Sequence, residues 1–233
     1  MKRRPARHRR PTKSAQIRAK SGGHKPLLTE AEAASWYVGK SFNYDWTSWH
    51  FPNWIALLEP YRKRAIRVLE IGSWEGRSAL FFLNYLPRAR LTCVDTFEGG
   101  QEHRYAARRS AADARELRAV ERRFDANTVR FVRRIEKIKA HSADALAALG
   151  LRKTRYDIAY VDGSHRAADV YSDAVLTWPL MARGGIVIFD DYQWDEMPNR
   201  LDNPKSGIDA FLKAAKGQYR LVLKSYQIAI VKR

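Results

Sequence analysis

The sequence predicts a doubly wound α/β fold: a mostly parallel, seven-stranded sheet that ends in an antiparallel hairpin. Three observations carry this. Short β-rich runs alternate with helical stretches from residue 66 onward; glycines and acids collect at the ends of those runs; and the last two runs are separated only by Lys224–Tyr226. Alternation of this kind implies right-handed crossovers and a parallel sheet.

The elements follow in order. Thr29 is placed to cap a short helix over Glu30–Val38, with Gly39 as its stop. Ile66–Ile71 reads as a strand, Arg77–Leu86 as a helix and Arg90–Asp95 as a second strand. One long charged helix is expected across Arg104–Phe124, then a third strand at Ile135–Ala140 and a helix at Ala143–Leu149. Tyr156–Asp162 reads as strand four, Ala167–Met181 as a helix and Gly185–Asp190 as strand five. Ile208–Ala215 reads as helical, and Tyr219–Leu223 with Gln227–Val231 as the closing hairpin.

Composition divides the 233 residues into three parts. Residues 1–26 form a basic tail expected to be disordered. It holds ten of the Lys and Arg residues and no acid, so over half of the net charge of +18 resides there. Such a tail attracts RNA, DNA or anionic lipid non-specifically, or is merely solvated. No apolar stretch follows its arginines to make an export signal, and its prolines oppose the amphipathic helix of a transit peptide. Residues 27–60 are dense in rings (Trp36, Tyr37, Phe42, Tyr44, Trp46, Trp49, Phe51, Trp54), which either pack as a flap or line a pocket. Residues 61–233 form the α/β domain. No apolar run suits a membrane span. The single cysteine, Cys93, lies in an apolar run, excludes an internal disulfide and suits a cytoplasmic protein. A homo-oligomer is left open.

The chemistry should lie at the carboxyl ends of the strands. Strand one runs into Glu70-Ile71-Gly72-Ser73-Trp74-Glu75-Gly76-Arg77-Ser78, a glycine turn that opens a helix. Gly72 and Gly76 permit a tight turn and close approach of a ligand, and the helix start offers free N–H groups to an anion. Asp95, followed by Thr96, ends strand two, where an acid can accept hydrogen bonds from a ribose diol. Trp74 stands where a dinucleotide site wants its second glycine, so the turn suits a smaller anion such as an amino-acid carboxylate. That favours S-adenosylmethionine over NAD.

Strand four ends in Tyr160-Val161-Asp162-Gly163-Ser164-His165 and strand five in Ile188-Phe189-Asp190-Asp191-Tyr192. Asp162, Asp190 and Asp191 would converge on one rim, which is costly without a cation among them. Hard oxygen ligands favour Mg²⁺, Mn²⁺ or Ca²⁺. His165 lies in the same constellation and titrates near neutrality, as a general base for a hydroxyl must. Tyr192 and Trp194 are candidates either for substrate contact or for packing.

The run VLEIGSWEGRSALFF resembles motif I of class I S-adenosylmethionine-dependent methyltransferases, in the form found in the catechol O-methyltransferase branch. YVDGSH and GGIVIFDDYQW are similar to segments of the metal-dependent O-methyltransferases that modify macrolide and aminocoumarin sugars. The resemblance spans roughly residues 66 to 192. It implies that Gly72, Ser73 and Ser78 surround the methionine end of the cofactor, that Asp95 holds its ribose and that Ser142 lies near its adenine. It also implies Asp162, Asp190 and Asp191 as metal ligands and His165 as the base. The full candidate cofactor set is Glu70, Gly72, Ser73, Trp74, Gly76, Ser78, Asp95, Thr96, Ser142 and Asp162; His165 and Asp162 are the catalytic pair. The expected substrate is a small-molecule hydroxyl. The alternatives are a ribose 2′-hydroxyl of RNA, reached with help from the tail, and a non-catalytic cofactor-binding module.

Overall fold

The computed structural model describes residues 28–233, so the basic tail and its expected partners lie outside the described residues. The strands are β1 (Arg67–Ile71), β2 (Arg90–Asp95), β3 (Ile135–Lys139), β4 (Tyr156–Val161), β5 (Met181–Phe189), β6 (Tyr219–Lys224) and β7 (Ile228–Lys232). They form one seven-stranded sheet in the order β3-β2-β1-β4-β5-β7-β6. The first five are parallel, and β7 inserts antiparallel between β5 and β6. The predicted fold class is therefore the observed one. The strand order reverses between β1 and β4, which marks the crevice where ligands of such sheets bind.

The helices are α1 (Glu30–Ser35), α2 (Phe51–Leu58), α3 (Arg77–Tyr85), α4 (Gln101–Ala107), α5 (Ala111–Thr128), α6 (Ser142–Leu151), α7 (Ala167–Thr177) and α8 (Pro204–Ala214). Alternation along β1 sends Val68 into one apolar layer, with α2 and α3, and Leu69 and Ile71 into the other, with α6, α7 and α8.

Several boundaries differ from expectation, each for a local reason. The expected helix over 104–124 is two helices. Ser110 leaves helical geometry (φ −140°, ψ 120°) and its hydroxyl accepts the backbone N–H of Asp113 at 3.2 Å, starting α5 afresh. The helix predicted to run to Met181 stops at Thr177, because Pro179 lies in a 3₁₀ turn and lacks an N–H donor; Met181 instead opens β5 beside Tyr156. Pro204 begins α8 four residues before the expected start, a position that suits proline. The first helix ends at Ser35, short of Gly39.

The ring-dense stretch both packs and lines the site. It contains α2, which the sequence reading did not include. Trp54 of α2 is fully buried, with ring centroids 5.0 Å from Tyr160, 5.1 Å from Phe81 and 5.2 Å from Phe82. Burying such a ring contributes about 2–3 kcal/mol and fastens the segment to the sheet. Trp46 and Trp49, by contrast, line the cleft above the strand ends. No helix among the described residues is long and apolar enough to cross a membrane.

Candidate active site

A cleft of about 2330 Å³ runs along the carboxyl ends of the strands. A pocket for one small molecule is typically about 300–1,000 Å³, so this one has room for two reactants. Its floor is the turn after β1, and its roof is residues 43–52 with α4.

The turn is set by close backbone packing. Gly72 has φ +84°, and a Cβ there would stand 1.9 Å from the Asp162 carbonyl oxygen. Gly76 has φ +82°, and a Cβ there would press on Thr128 and Phe124 of α5 at about 3 Å. Both glycines are thus required by the chain itself, in addition to any ligand. Glu75, buried behind the turn, accepts from Arg123 at 2.7 Å and from the Asn43 backbone at 2.8 Å, tying turn, α5 and roof together.

Of the predicted cofactor residues, Gly72, Trp74, Asp95, Thr96, Ser142 and Asp162 line the cleft. Glu70, Ser73, Gly76 and Ser78 lie behind its wall and shape the turn from beneath. Ser73 Oγ donates to Glu70 Oε2 at 2.6 Å, and Glu70 Oε1 has no partner. Burial raises the Glu70 pKa to about 7, against hydrogen bonds from Ser73, Ser78 and Cys93. Asp95 accepts from the backbone of Trp74 at 2.7 Å and of Phe97 at 2.6 Å, which aims its carboxyl along the rim. Trp74 adopts φ 47°, and its ring lies tilted against those of His103 (centroids 4.6 Å apart) and Trp46 (6.1 Å).

A raised acid binds its proton more tightly in the folded chain than in the unfolded one. The stability contributed by neutral Glu70 is therefore fully present below the unfolded pKa and is lost as pH rises through about 7. Between about pH 5 and 8 the ligand-free protein is expected to lose up to ~3 kcal/mol that Glu70→Gln does not lose. Urea unfolding at both pH values measures this, and parallel pH profiles would contradict it.

The three aspartates do gather at the β4 and β5 ends, but not symmetrically. Ligand atoms of Asp162, His165 and Asp191 lie within 4.8 Å of one another, whereas Asp190 is outside that group. Asp191 has φ 57°, which turns its carboxyl away from its neighbour's. Asp190 points inward. It takes the Tyr160 hydroxyl, Gln227 Nε2 at 2.9 Å and the Asp191 backbone at 2.8 Å, with His50 Nε2 3.4 Å away. Tyr160 also reaches Asp162 at 2.9 Å, so its single proton is shared between two carboxylates. Burial, then repulsion from Asp190 and Asp191, holds the Asp162 pKa well above the carboxylate range. This is the charge imbalance that a cation relieves, and a cluster of hard oxygens fits a divalent one.

His165 Nε2 lies 2.9 Å from Asp191 Oδ2 and Nδ1 lies 3.4 Å from Glu102 Oε1, while its ring stacks on Trp194 at 4.5 Å. Burial pulls its pKa down, but the Asp191 and Glu102 carboxylates beside it outweigh burial and hold it well above the ordinary value. In the ligand-free protein His165 is the counter-cation of the acidic cluster. Trp194 faces the cleft; Tyr192 is turned into the other layer, its hydroxyl on Asp209 at 3.0 Å. Glu102, His50, Tyr160 and Gln227 were not singled out from the sequence. Only their partners on other elements reveal them.

A rim that joins a glycine turn, an acid at the second strand and acids at the fourth and fifth is the layout of a nucleoside-binding α/β sheet. Residues 69–192, more than half of the chain, match the family model described as "Methyltransferase domain", and the chain belongs to that family. The mycinamicin VI 2″-O-methyltransferase of Micromonospora griseorubida is 25% identical over 182 residues, covering 75% of this chain and 38% of that protein. The chain thus spans well under half of that relative. The solved MycE methyltransferase in complex with Mg, SAH and mycinamycin VI superposes with a TM-score of 0.61 at 18% identity, covering 86% of this chain and 52% of that one. The O-methyltransferase TomG from Streptomyces achromogenes, in complex with SAM, gives 0.58 at 16% identity, covering 89% and 93%. At such identities the structures report a shared fold.

Proposed function

We propose that the protein transfers a methyl group from S-adenosylmethionine to a hydroxyl of a small-molecule acceptor, assisted by a divalent cation such as Mg²⁺. The observation that carries this reading is that one cleft joins the nucleoside-type wall (Gly72, Trp74, Asp95) to the Asp162–Asp191–His165 cluster. Relatives whose names record O-methylation, Mg and SAH support it.

Asp95 and the Gly72 turn would bind the ribose and the amino-acid end of the cofactor. Asp162 and Asp191 would hold the cation, with Asp190 completing the trio from below. A bound cation supplies Lewis acidity, which lowers the pKa of a chelated hydroxyl. His165 would take the hydroxyl proton, after shedding the one that Asp191 and Glu102 stabilise. Trp194 would orient the imidazole through their stacking. The roof residues Trp46 and Trp49 would exclude water and hold the acceptor in line with the departing sulfur, where orientation supplies most of the rate gain.

A thermal-unfolding series with S-adenosylhomocysteine, with and without Mg²⁺, tests the reading. At a hundredfold excess over Kd the cofactor product should stabilise the protein by about 2.7 kcal/mol. Mg²⁺ should add a further shift that Asp162→Ala abolishes. No shift with S-adenosylhomocysteine would overturn the cofactor assignment.

A further inference from the structure

The cleft occupies one end of the sheet. Because β1 to β4 are parallel, their first residues and the connections into them gather at the opposite edge. That edge is loaded with exposed cations: Lys63 and Arg67 at β1, Arg88 and Arg90 at β2, Arg133 before β3 and Arg155 before β4. Exposed Arg183 early in β5 and Arg220 early in β6 extend the row, since β7 lies antiparallel to both and returns β6 to the same orientation. The acids of this edge are already engaged elsewhere. Glu59 faces Arg62 at 3.9 Å, Asp157 faces Arg64 at 3.5 Å, and Glu136 pairs with Arg152. No cation of the row forms an ion pair with a described residue.

Helix C-termini attract cations through the macrodipole. That does not account for Arg67, Arg90, Arg183 and Arg220, which belong to strands, and sheets have only small net dipoles. Uncompensated like charges repel one another, a cost that an anionic partner removes. A pocket of about 240 Å³ opens among them, lined by Arg67, Arg90, Arg134 and Arg152 with Thr92 and Tyr156. It is smaller than the ~300–1,000 Å³ of a small-molecule site and suits a group the size of a phosphate.

The neighbouring apolar side chains decide which polyanion fits. Val132, beside Arg133, is 70% exposed, and Leu151, beside Arg152 at the end of α6, is 85% exposed. Exposed aromatic side chains lie elsewhere: Tyr44, Trp49 and Tyr105 line the cleft, and Tyr171 lies within α7. Single-stranded nucleic acid is held by rings on which bases stack, which this edge lacks. A bilayer surface uses both features present, pairing phosphates with arginines and taking aliphatic side chains into the boundary between headgroups and acyl chains.

We propose that this edge is a docking surface for an anionic lipid bilayer, with headgroup phosphates against the arginines and with Val132 and Leu151 inserted between them. The inference is independent of the cofactor reading. Seven strands spaced about 4.8 Å apart make the edge about 30 Å wide, so it meets several headgroups at once. Docked this way, the cleft at the far ends of the strands opens to water, and the acceptor reaches it from solution.

Co-sedimentation of the full chain with mixed phosphatidylserine and phosphatidylcholine vesicles tests this, with phosphatidylcholine vesicles and a short RNA duplex as comparisons. Binding to the anionic vesicles is expected to exceed binding to the neutral ones and to fall steeply as salt rises. Combining Arg67→Gln, Arg90→Gln, Arg133→Gln and Arg155→Gln should weaken binding to anionic vesicles on the order of 100-fold with residues 1–27 intact, because each surface cation contributes separately. Val132→Ser with Leu151→Ser should weaken vesicle binding about tenfold and leave RNA binding unchanged. Equal binding to the two kinds of vesicle would overturn the inference. So would undiminished binding in the arginine variant, which would assign the attraction to residues 1–27. Tighter binding to RNA than to anionic vesicles, with the serine variant equal to wild type on both, would overturn it in favour of nucleic acid. If the arginine variant fails to fold, the serine variant decides.

Discussion

Asp162→Ala is expected to lower methyl transfer on the order of 10³-fold, equivalent to ~4 kcal/mol of transition-state stabilisation, while S-adenosylhomocysteine still binds within a few-fold of wild type. The argument is electrostatic. Asp162 shares the Tyr160 proton with Asp190 and faces Asp191 across the cluster, so it holds one side of the proposed cation site. Its backbone, not its carboxyl, supports the Gly72 turn through the 2.8 Å bond from Asp162 N to Ile71 O. Loss of the side chain therefore separates the two halves of the cleft chemically. The isosteric Asp162→Asn removes like-charge repulsion without opening a cavity, so at pH above the raised Asp162 pKa the ligand-free variant should unfold at a higher temperature than wild type. Steady-state rates at saturating cofactor, with calorimetry for binding, measure both effects. Full cation-dependent activity in Asp162→Ala would refute the assignment.

Gly72→Ala is expected to cost roughly 3–5 kcal/mol of folding stability, the sum of left-handed backbone strain and overpacking. Both obstacles are backbone: the Asp162 carbonyl oxygen at 1.9 Å and the Gly163 Cα at 2.8 Å from the new Cβ. Neither can rotate aside, so β1 and β4 must part at the switch point. Gly184→Ala provides the control. Its φ is similarly positive at +75°, but nothing lies within 4 Å, so only strain of about 1–2 kcal/mol should appear. Equal losses in denaturant titrations of the two variants would show that close approach of the strands contributes nothing.

The parts of this fold legible in the sequence are those written locally. Strand periodicity, the glycine turn and acids at strand ends are each set within a few residues, and their alternation implies parallel pairing, whereas the strand order, with β7 between β5 and β6, is not written locally. The break at Ser110 was also local, as a serine three residues before Asp113, but the charged stretch around it masked the cap. What stayed illegible depends on distant partners. Trp54 donates from its indole to Gln227 at 2.9 Å, and Gln227 donates to Asp190, linking α2 to the site across 173 residues of chain. No spacing rule exposes such a relay. Adjacent Asp190 and Asp191 likewise read as equivalent, yet Asp191, with a positive φ, meets His165 while Asp190 meets Tyr160 and Gln227. His165 was legible as a member of the constellation, whereas its pairing with Glu102 depends on where α4 folds over the rim.

The account depends on the cofactor and the cation occupying neighbouring positions on one rim. Mn²⁺, substituted for Mg²⁺, reports this directly by paramagnetic broadening of the S-methyl resonance of isotopically labelled S-adenosylmethionine bound to the protein. The expected result is strong broadening in the wild-type chain that disappears in Asp162→Ala. A sharp methyl resonance in the presence of bound Mn²⁺ would contradict the account.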